Sequence, residues 1–298
     1  MSNQFNVLSM NTHLFVDSSP GFFDTSLIYL DKQRAEKIIE LSNGNFNVIG
    51  LTEVWGDKMR RQMATAFDGY NTFIPQADSK TAFVAGSPGM TLSVKGQWAG
   101  GYQPSFVFYQ DMVGADKLAF KGVSTAITRV NGQVLGLVQT HAQASYTETE
   151  KRDTKARDRQ FRQTLFPAIV HLQNLLESLS IKAPIILLGD LNVVADTNEY
   201  KWFLNELEQL GFYDCWTKVN GSQPGYTYEP RKNALVKRWD KTQVAPQRLD
   251  YIFLNPNNSG YRCTQMSVLS QWKLTTATSD SDLSDHYPVS ACFEKAPA

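Results

Sequence analysis

The chain has 298 residues, 42% hydrophobic and 19% charged, the balance of a folded globular protein rather than a disordered one. Lys+Arg and Asp+Glu both number 29, which excludes the bulk positive charge that holds duplex nucleic acid and leaves only a local basic groove for that role. Three cysteines without a CxxC give neither a disulfide framework nor a zinc signature.

Met1-Ser2-Asn3-Gln4 leads straight into a strand-like run, with no signal peptide. Two locations stay open, secreted with a leader removed or cytoplasmic. No apolar run approaches the roughly 20 residues that span a bilayer, so no transmembrane segment is expected.

Phe5 to Met10 alternates as a strand and ends at Asn11-Thr12-His13. Asp31 to Leu41 has Ala35, Ile38, Ile39 and Leu41 at helical spacing, and Asn43-Gly44 stops it. Asn47 to Leu51 is a second strand, ending at Thr52-Glu53-Val54-Trp55. Met59 to Phe67 reads as a short helix. Further on, Met90 to Val94 and Ser105 to Tyr109 read as strands around the glycine-rich turn Ala99-Gly100-Gly101. Val123 to Val130 and Gln133 to Thr140 flank Asn131-Gly132, the residue pair that suits a two-residue hairpin, and the second strand ends at His141.

Ser145 to Arg159 reads as a polar, charge-dense connection. Its Lys151, Arg152, Lys155, Arg157, Arg159 and Arg162 read as a solvated face, because Glu148, Glu150, Asp153 and Asp158 interleave with them. A helix then carries Phe161, Leu165, Ile169, Leu172, Leu176 and Leu179 on one stripe, bent by Pro167. Pro184-Ile185-Ile186-Leu187-Leu188-Gly189-Asp190-Leu191-Asn192 reads as a strand buried on both faces that stops at a carboxylate and an amide. Gly-Asp-x-Asn is also good turn chemistry. A helix follows near Asn198 to Leu210, then a strand from Arg248 to Leu254, and Ser284-Asp285-His286-Tyr287-Pro288 leads into a last strand. Interspersed helices, strands and hairpins without repeats imply an α/β protein of stacked mixed sheets with helices outside, one domain over 1–298.

Asn11, Glu53, His141, Asp190, Asn192, Asp285 and His286 all fall at strand ends, and Asp250 lies in a strand. Each alone has an ordinary structural reading as a cap, a turn or a satisfied core polar group. Together they suit phosphoryl transfer. Carboxylate and amide oxygens are ligands that a hard Mg²⁺ prefers, and two histidines provide a base for a water and a donor to the phosphate or leaving group. His13 and His171 are read as structural.

The Asn11 strand end, Leu51-Thr52-Glu53, Thr140-His141, Gly189-Asp190-Leu191-Asn192, Arg248-Leu249-Asp250-Tyr251 and Ser284-Asp285-His286-Tyr287-Pro288-Val289 resemble, in order, the motifs of the endonuclease/exonuclease/phosphatase superfamily. The resemblance implies a four-layered α/β/β/α sandwich of the deoxyribonuclease I-like type, two mixed sheets packed face to face with the site at one rim. It implies Mg²⁺, or Mn²⁺ or another divalent cation, on Glu53 with Asn11, and a base in His286 paired with Asp250 or Asp190. Asp190 and Asn192 would orient water and phosphate, His141 would stabilise the transition state or protonate the leaving group, and Asp285 would steady the base loop or contribute to a metal site.

Thr140-His141-Ala142-Gln143-Ala144, Asp196 to Tyr200 and Thr227-Tyr228-Glu229-Pro230 are similar to the sphingomyelinase C branch. That branch implies hydrolysis of sphingomyelin or a related phospholipid headgroup to ceramide and phosphocholine, with peripheral membrane contact. The alternatives are a nuclease acting on DNA or RNA and a phosphatase acting on a small phosphoester. Two departures from the branch stand out. Trp272 to Ser279 lacks an aromatic tip, which weakens insertion into lipid. No acidic residue is evident near Ser87-Pro88-Gly89, which leaves the partner of His141 unassigned.

Overall fold

Two mixed β-sheets face each other, and strands for both are drawn from the two halves of the chain. The structure is a computed structural model and describes residues 3–15, 28–76, 88–99, 101–145, 150–239, 245–276 and 280–296. The first sheet has six strands in the order β12-β15-β1-β2-β4-β3. These are β1 (Gln4–Leu14), β2 (Val48–Val54), β3 (Asn71–Phe73), β4 (Thr91–Val94), β12 (Tyr261–Val268) and β15 (Val289–Lys295). The second has the order β10-β11-β9-β8-β7-β5, with β6 also on β7. These are β5 (Gln97–Trp98), β6 (Ser105–Phe108), β7 (Gly122–Val130), β8 (Gln133–His141), β9 (Ile185–Asp190), β10 (Tyr213–Asp214) and β11 (Asp250–Asn255). A separate ribbon pairs β13 (Lys273–Thr275) with β14 (Asp280–Asp282). The tip at 277–279, where the sequence shows no aromatic residue, lies outside the described residues.

The strand β9 shows why the layers form. Ile186 and Leu188 point into the core between the sheets, with Leu135, Leu137, Val7 and Val48. Ile185 and Leu187 point the other way, against Phe161, Leu172 and Phe203 from the helical layer. A run apolar at every position is what a strand covered on both faces requires. Gly50 in β2 permits the sheets to approach, since a Cβ there would lie 2.6 Å from Leu188 Cδ1. Truncating Leu188 at that contact should cost about 2–5 kcal/mol.

Helices α1 (Asp31–Ser42) and α2 (Asp57–Ala66) cover the first sheet, burying Ile38 and Met63 against Leu8, Met10, Ile49 and Leu51. Helices α3 (Glu150–Gln160), α4 (Phe166–Ser178) and α5 (Asn198–Gln209) follow the second sheet's strands, and α4 and α5 pack on its outer face. Short helices α6 (Cys215–Asn220) and α7 (Val236–Trp239) sit in the connections. The order is helix, sheet, sheet, helix, the four layers expected.

Three expectations change in detail. Glu150–Gln160 is helical rather than part of a connection. Its inward face is Asp153, Ala156, Arg157 and Gln160, so it carries no apolar stripe to betray it. In place of a bend at Pro167 the helix has a π-helical turn, Phe161–Leu165, and Pro167 is the second residue of α4 directly after it. Asp250 begins β11, and Arg248 and Leu249 lie outside it. The Asn131-Gly132 hairpin is as expected, with positive φ at both residues (49° and 82°).

Candidate active site

Strand register puts three of the expected groups in one row. His141 of β8 pairs with Asp190 of the parallel β9, and Asp190 pairs with Asp250 of the antiparallel β11. Gly189 makes the row possible. At φ 141° its Cα faces the neighbouring strand, and a Cβ there would lie 1.9 Å from Thr140 O.

The first sheet brings Asn11 and Glu53 to face this row. Asn11 and Thr52 are partners in the parallel β1–β2 ladder, so Glu53 follows directly. Asn11 Nδ2 donates to Glu53 Oε1 at 3.0 Å and to Asp190 Oδ2 at 2.9 Å, bridging the two sheets. His141 Nε2 is 3.7 Å from both of those carboxylates. Glu53, at φ 57°, departs from extended backbone, a strain that surrounding structure must hold in place.

Beyond Asp250, His286 Nδ1 lies 2.7 Å from Asp250 Oδ2. A frame of hydrogen bonds sets that pair. The Thr227 hydroxyl accepts from Leu249 N and Asp250 N, and Tyr228 bridges to His286 through its backbone. Asn233 Nδ2 donates to Ser284 O and Asp285 O. The Thr227-Tyr228 segment singled out in the sequence thus holds the base loop rather than lining it at a distance.

Asn192 reaches the site by a turn, not by strand alternation. Its φ is 52°, its N–H donates to Asp190 Oδ1 at 2.9 Å, and its Nδ2 donates to Ala142 O. The turn reading and the functional reading of Gly-Asp-x-Asn are the same structure. Asp285 belongs to neither of the two tight clusters able to hold a metal and contacts His13, 3.3 Å from Nδ1 to Oδ2, on the nitrogen that also faces Glu53.

His13, read from the sequence as structural, lies against the site. It is buried beside Glu53, 3.7 Å from Nδ1 to Oε2, with Asp285 on the same nitrogen and Trp239 stacked on its ring at 5.8 Å. Its two-residue separation from Asn11 was the available signal. His171 is exposed on α4, as expected. Two buried cations were also missed. Arg34 donates to Thr12 O, His13 O and Leu283 O and pairs with Asp31, tying the end of β1 to the base loop. Lys121 Nζ donates to Asp116 Oδ2 and to Ala142 O, directly behind His141. Neither residue lies in a recognisable motif.

The environment sorts the titratable groups. Burial works against the Glu53 carboxylate, but the His13 contact and nearby cationic groups outweigh it and hold its pKa well below the usual range. Burial and the Asp250 charge push Asp190 up to about 7. Burial and the Lys121 charge keep His141 well below an ordinary histidine, hence neutral. Burial disfavours a charged His286, but Asp250 and Asp190 overcome it and raise that imidazole well above 6.5.

Glu53, His141 and Asp190 form one cluster able to hold a cation, and Asp190, Asp250 and His286 form another, with the offered ligand atoms of each within 4.8 Å. Both ring nitrogens of His141 and Oδ1 of Asp250 are buried without a hydrogen-bond partner. Buried polar groups are seldom left so, and these point at a partner the protein alone does not provide. Oxygen donors dominate, which fits a hard divalent cation retaining water and phosphate oxygens in its remaining positions.

Residues 29–286 match the endonuclease/exonuclease/phosphatase family. The chain belongs to that family. Among curated relatives, Sphingomyelinase C 2 of Leptospira interrogans is 25% identical over 196 residues, 62% of this chain and 28% of that protein. The chain therefore aligns with well under half of that relative's length. A double mutant of the beta toxin from Staphylococcus aureus, a structure with bound magnesium ions, superposes with a TM-score of 0.71 at 19% identity, covering 98% of this chain and 100% of that one. TDP2 of D. rerio, complexed with a single strand DNA product, gives 0.65 at 16% identity, covering 98% and 99%. These likenesses establish the family's sandwich fold. Family and relatives together support a metal-dependent phosphodiesterase. No helix among the described residues is long and apolar enough to cross a membrane.

Proposed function

We propose that the protein hydrolyses a phospholipid phosphodiester, sphingomyelin foremost, to release phosphocholine and leave ceramide. The observation that carries the hydrolytic part is the row His141, Asp190, Asp250, facing Glu53 and capped by His286. The lipid assignment draws on the sphingomyelinase-like segments around His141, Asp196 and Thr227 and on the curated relative.

Glu53, Asn11 and Asp190 would hold the divalent cation, with Mg²⁺ the favoured ion. The cation, when bound, supplies positive charge to the phosphate and acidifies a water. Asp250 engages Nδ1 of His286, leaving Nε2 as the basic atom that takes a proton from the attacking water. The neutral His141 donates from a ring N–H to a phosphate oxygen as charge develops there. Asn192, fixed by its turn, orients the phosphate. The water oxygen bonds to phosphorus, its proton passes to His286 Nε2, the bond to the lipid oxygen breaks in line, and the departing oxygen takes its proton from solvent, to which His286 later releases the one it holds.

Sphingomyelin in mixed micelles with Mg²⁺ tests the reading. Phosphocholine release that EDTA abolishes is the expected result. No release, with clear cleavage of DNA under the same conditions, would overturn the lipid assignment.

A further inference from the structure

A second surface at the catalytic end combines cations with exposed apolar groups. The strands β8 and β9 are parallel, so the helical connection between them returns from the end that carries His141 to the opposite end. The first turn of α3 therefore lies at the catalytic end. Lys151, Arg152, Lys155 and Arg159 line a shallow pocket of about 340 Å³ on this helix. At about 100° per residue these four positions fall on one side of the helix, within about 100° of arc.

Two of the interleaved acids are engaged away from this face, and Glu150 makes no ion pair among the described residues. Asp153 turns fully inward, and Asp158 pairs with Arg162. Arg159 is held by Asp111, and Arg152 makes a long 3.4 Å contact with Asp153. Lys151 and Lys155 are exposed and have no carboxylate within ion-pair distance among the described residues.

Beside this helix lies apolar surface. Arg152 reaches the Gly114–Leu118 turn, where a Cβ on Gly114 would lie 3.1 Å from its Nη2. Leu118 in that turn is 39% exposed, and Val107 on β6 is 51% exposed. The strand β6 is an edge, and its half-buried Phe108 packs on Phe120 just after the turn. Phe108 pairs with Gly122, and the next residue, Val123, pairs with Thr140, level with His141.

We propose that this face docks the protein on an anionic lipid bilayer, the lysines meeting lipid phosphates while Val107 and Leu118 enter the interface. Cations alone would equally fit nucleic-acid phosphates. Exposed aliphatic groups have no use on a charged duplex, and the zero formal net charge disfavours one. A basic face rimmed by apolar side chains is the composition that binds anionic interfaces. The surface would supply lipid contact at the rim, turning the catalytic end toward the bilayer.

Sedimentation of the full chain with vesicles tests the proposal, using phosphatidylcholine alone and phosphatidylcholine mixed with phosphatidylglycerol. The wild type should bind the anionic vesicles more tightly, and added salt should weaken it. Lys151→Glu with Lys155→Glu should lower that affinity more than tenfold, given about fivefold for each cation at such a surface. Leu118→Asp should lower it independently. All variants should hydrolyse a water-soluble phosphodiester as the wild type does, since none of these residues is in the site. Equal binding to both vesicles, no binding to either, or unchanged binding after charge reversal would overturn the proposal, as would retention of duplex DNA in preference to anionic vesicles. The proposal does not rest on the substrate assignment. Vesicle binding as predicted by a wild type that fails to cleave sphingomyelin would remove that assignment and leave the docking face standing.

Discussion

Asp250 Oδ2 and His286 Nδ1, 36 positions apart in the chain, lie 2.7 Å from each other and are both buried. Under the proposed mechanism that contact anchors one nitrogen of His286 and leaves the other to act as the base. Replacing His286 with Ala should lower kcat about 10²–10⁴-fold, the usual contribution of a general base, with little change in the circular dichroism spectrum. A variant that keeps wild-type turnover would assign the base elsewhere.

The same pair sets a pH dependence. Burial lowers the affinity of His286 for a proton, but the Asp250 and Asp190 carboxylates raise it above the ordinary 6.5 by a larger amount. A base works only when neutral, so kcat/KM should climb through a folded-state pKa that lies above 6.5. Asp250→Asn removes the principal raising charge, and the acidic limb should move to lower pH while the plateau falls. Stability runs in the opposite sense. The folded state holds this proton more tightly than the unfolded chain, so the contribution is complete below about pH 6.5 and is lost as pH rises through the folded pKa. Denaturant midpoints of wild type and Asp250→Asn should converge toward high pH.

Divalent-cation removal has a readout apart from turnover. Mg²⁺ at about 100 times its dissociation constant should stabilise the fold by about 2.7 kcal/mol, and EDTA should reverse the gain. Glu53→Gln keeps the shape of the side chain and the hydrogen bond available to Asn11, yet loses the charge. Its melting temperature should respond little to Mg²⁺. An undiminished response would place the cation away from Glu53.

Much of this site was legible because strand ends are conspicuous in sequence. An apolar run that stops at Asp190, or a hairpin strand that stops at His141, announces where a sheet meets solvent. The layering follows from β9, whose every residue is apolar until Gly189, so both faces had to be covered. What could not be read was the support. Arg34 and Lys121 act through backbone carbonyls of residues that lie next to them only after folding, and carbonyls carry no sequence identity. His13, read as structural, sits beside Glu53 because the β1 backbone turns to φ 48° there instead of continuing the strand. The helix α3 was hidden for a different reason. Its buried side includes Asp153, Arg157 and Gln160, and Arg157 is satisfied by Glu199, Gln143 O and Ser145. A polar helix buried through hydrogen bonds has no periodic apolar signal.

Gly189 is the test of the row itself. Its Cβ would lie 1.9 Å from Thr140 O, a backbone atom that cannot rotate away, and φ 141° is hostile to any side chain. Gly189→Ala must therefore push β9 from β8 at the point where Asp190 meets His141. The expected loss of stability is on the order of 3 kcal/mol, at the upper end for single substitutions. Activity should fall further than the folded fraction explains, since a displacement of about 1 Å in positioned groups costs on the order of 10²-fold. Normalising turnover to the folded population separates the two effects.

His141 poses the last question, because it is neutral and buried with both ring nitrogens unpartnered. A neutral imidazole donates a hydrogen bond to charge that forms on phosphate, whereas an imidazolium would hand a proton to the departing oxygen. These roles differ in how they respond to the leaving group. His141→Ala should cost about 10²–10³-fold, the magnitude for loss of one donor to a developing oxyanion. With phosphodiesters of graded leaving-group acidity, the penalty should stay nearly constant. A penalty that vanishes for the most acidic leaving group would make His141 the general acid, and the Lys121 charge behind it would then need to be offset when substrate binds.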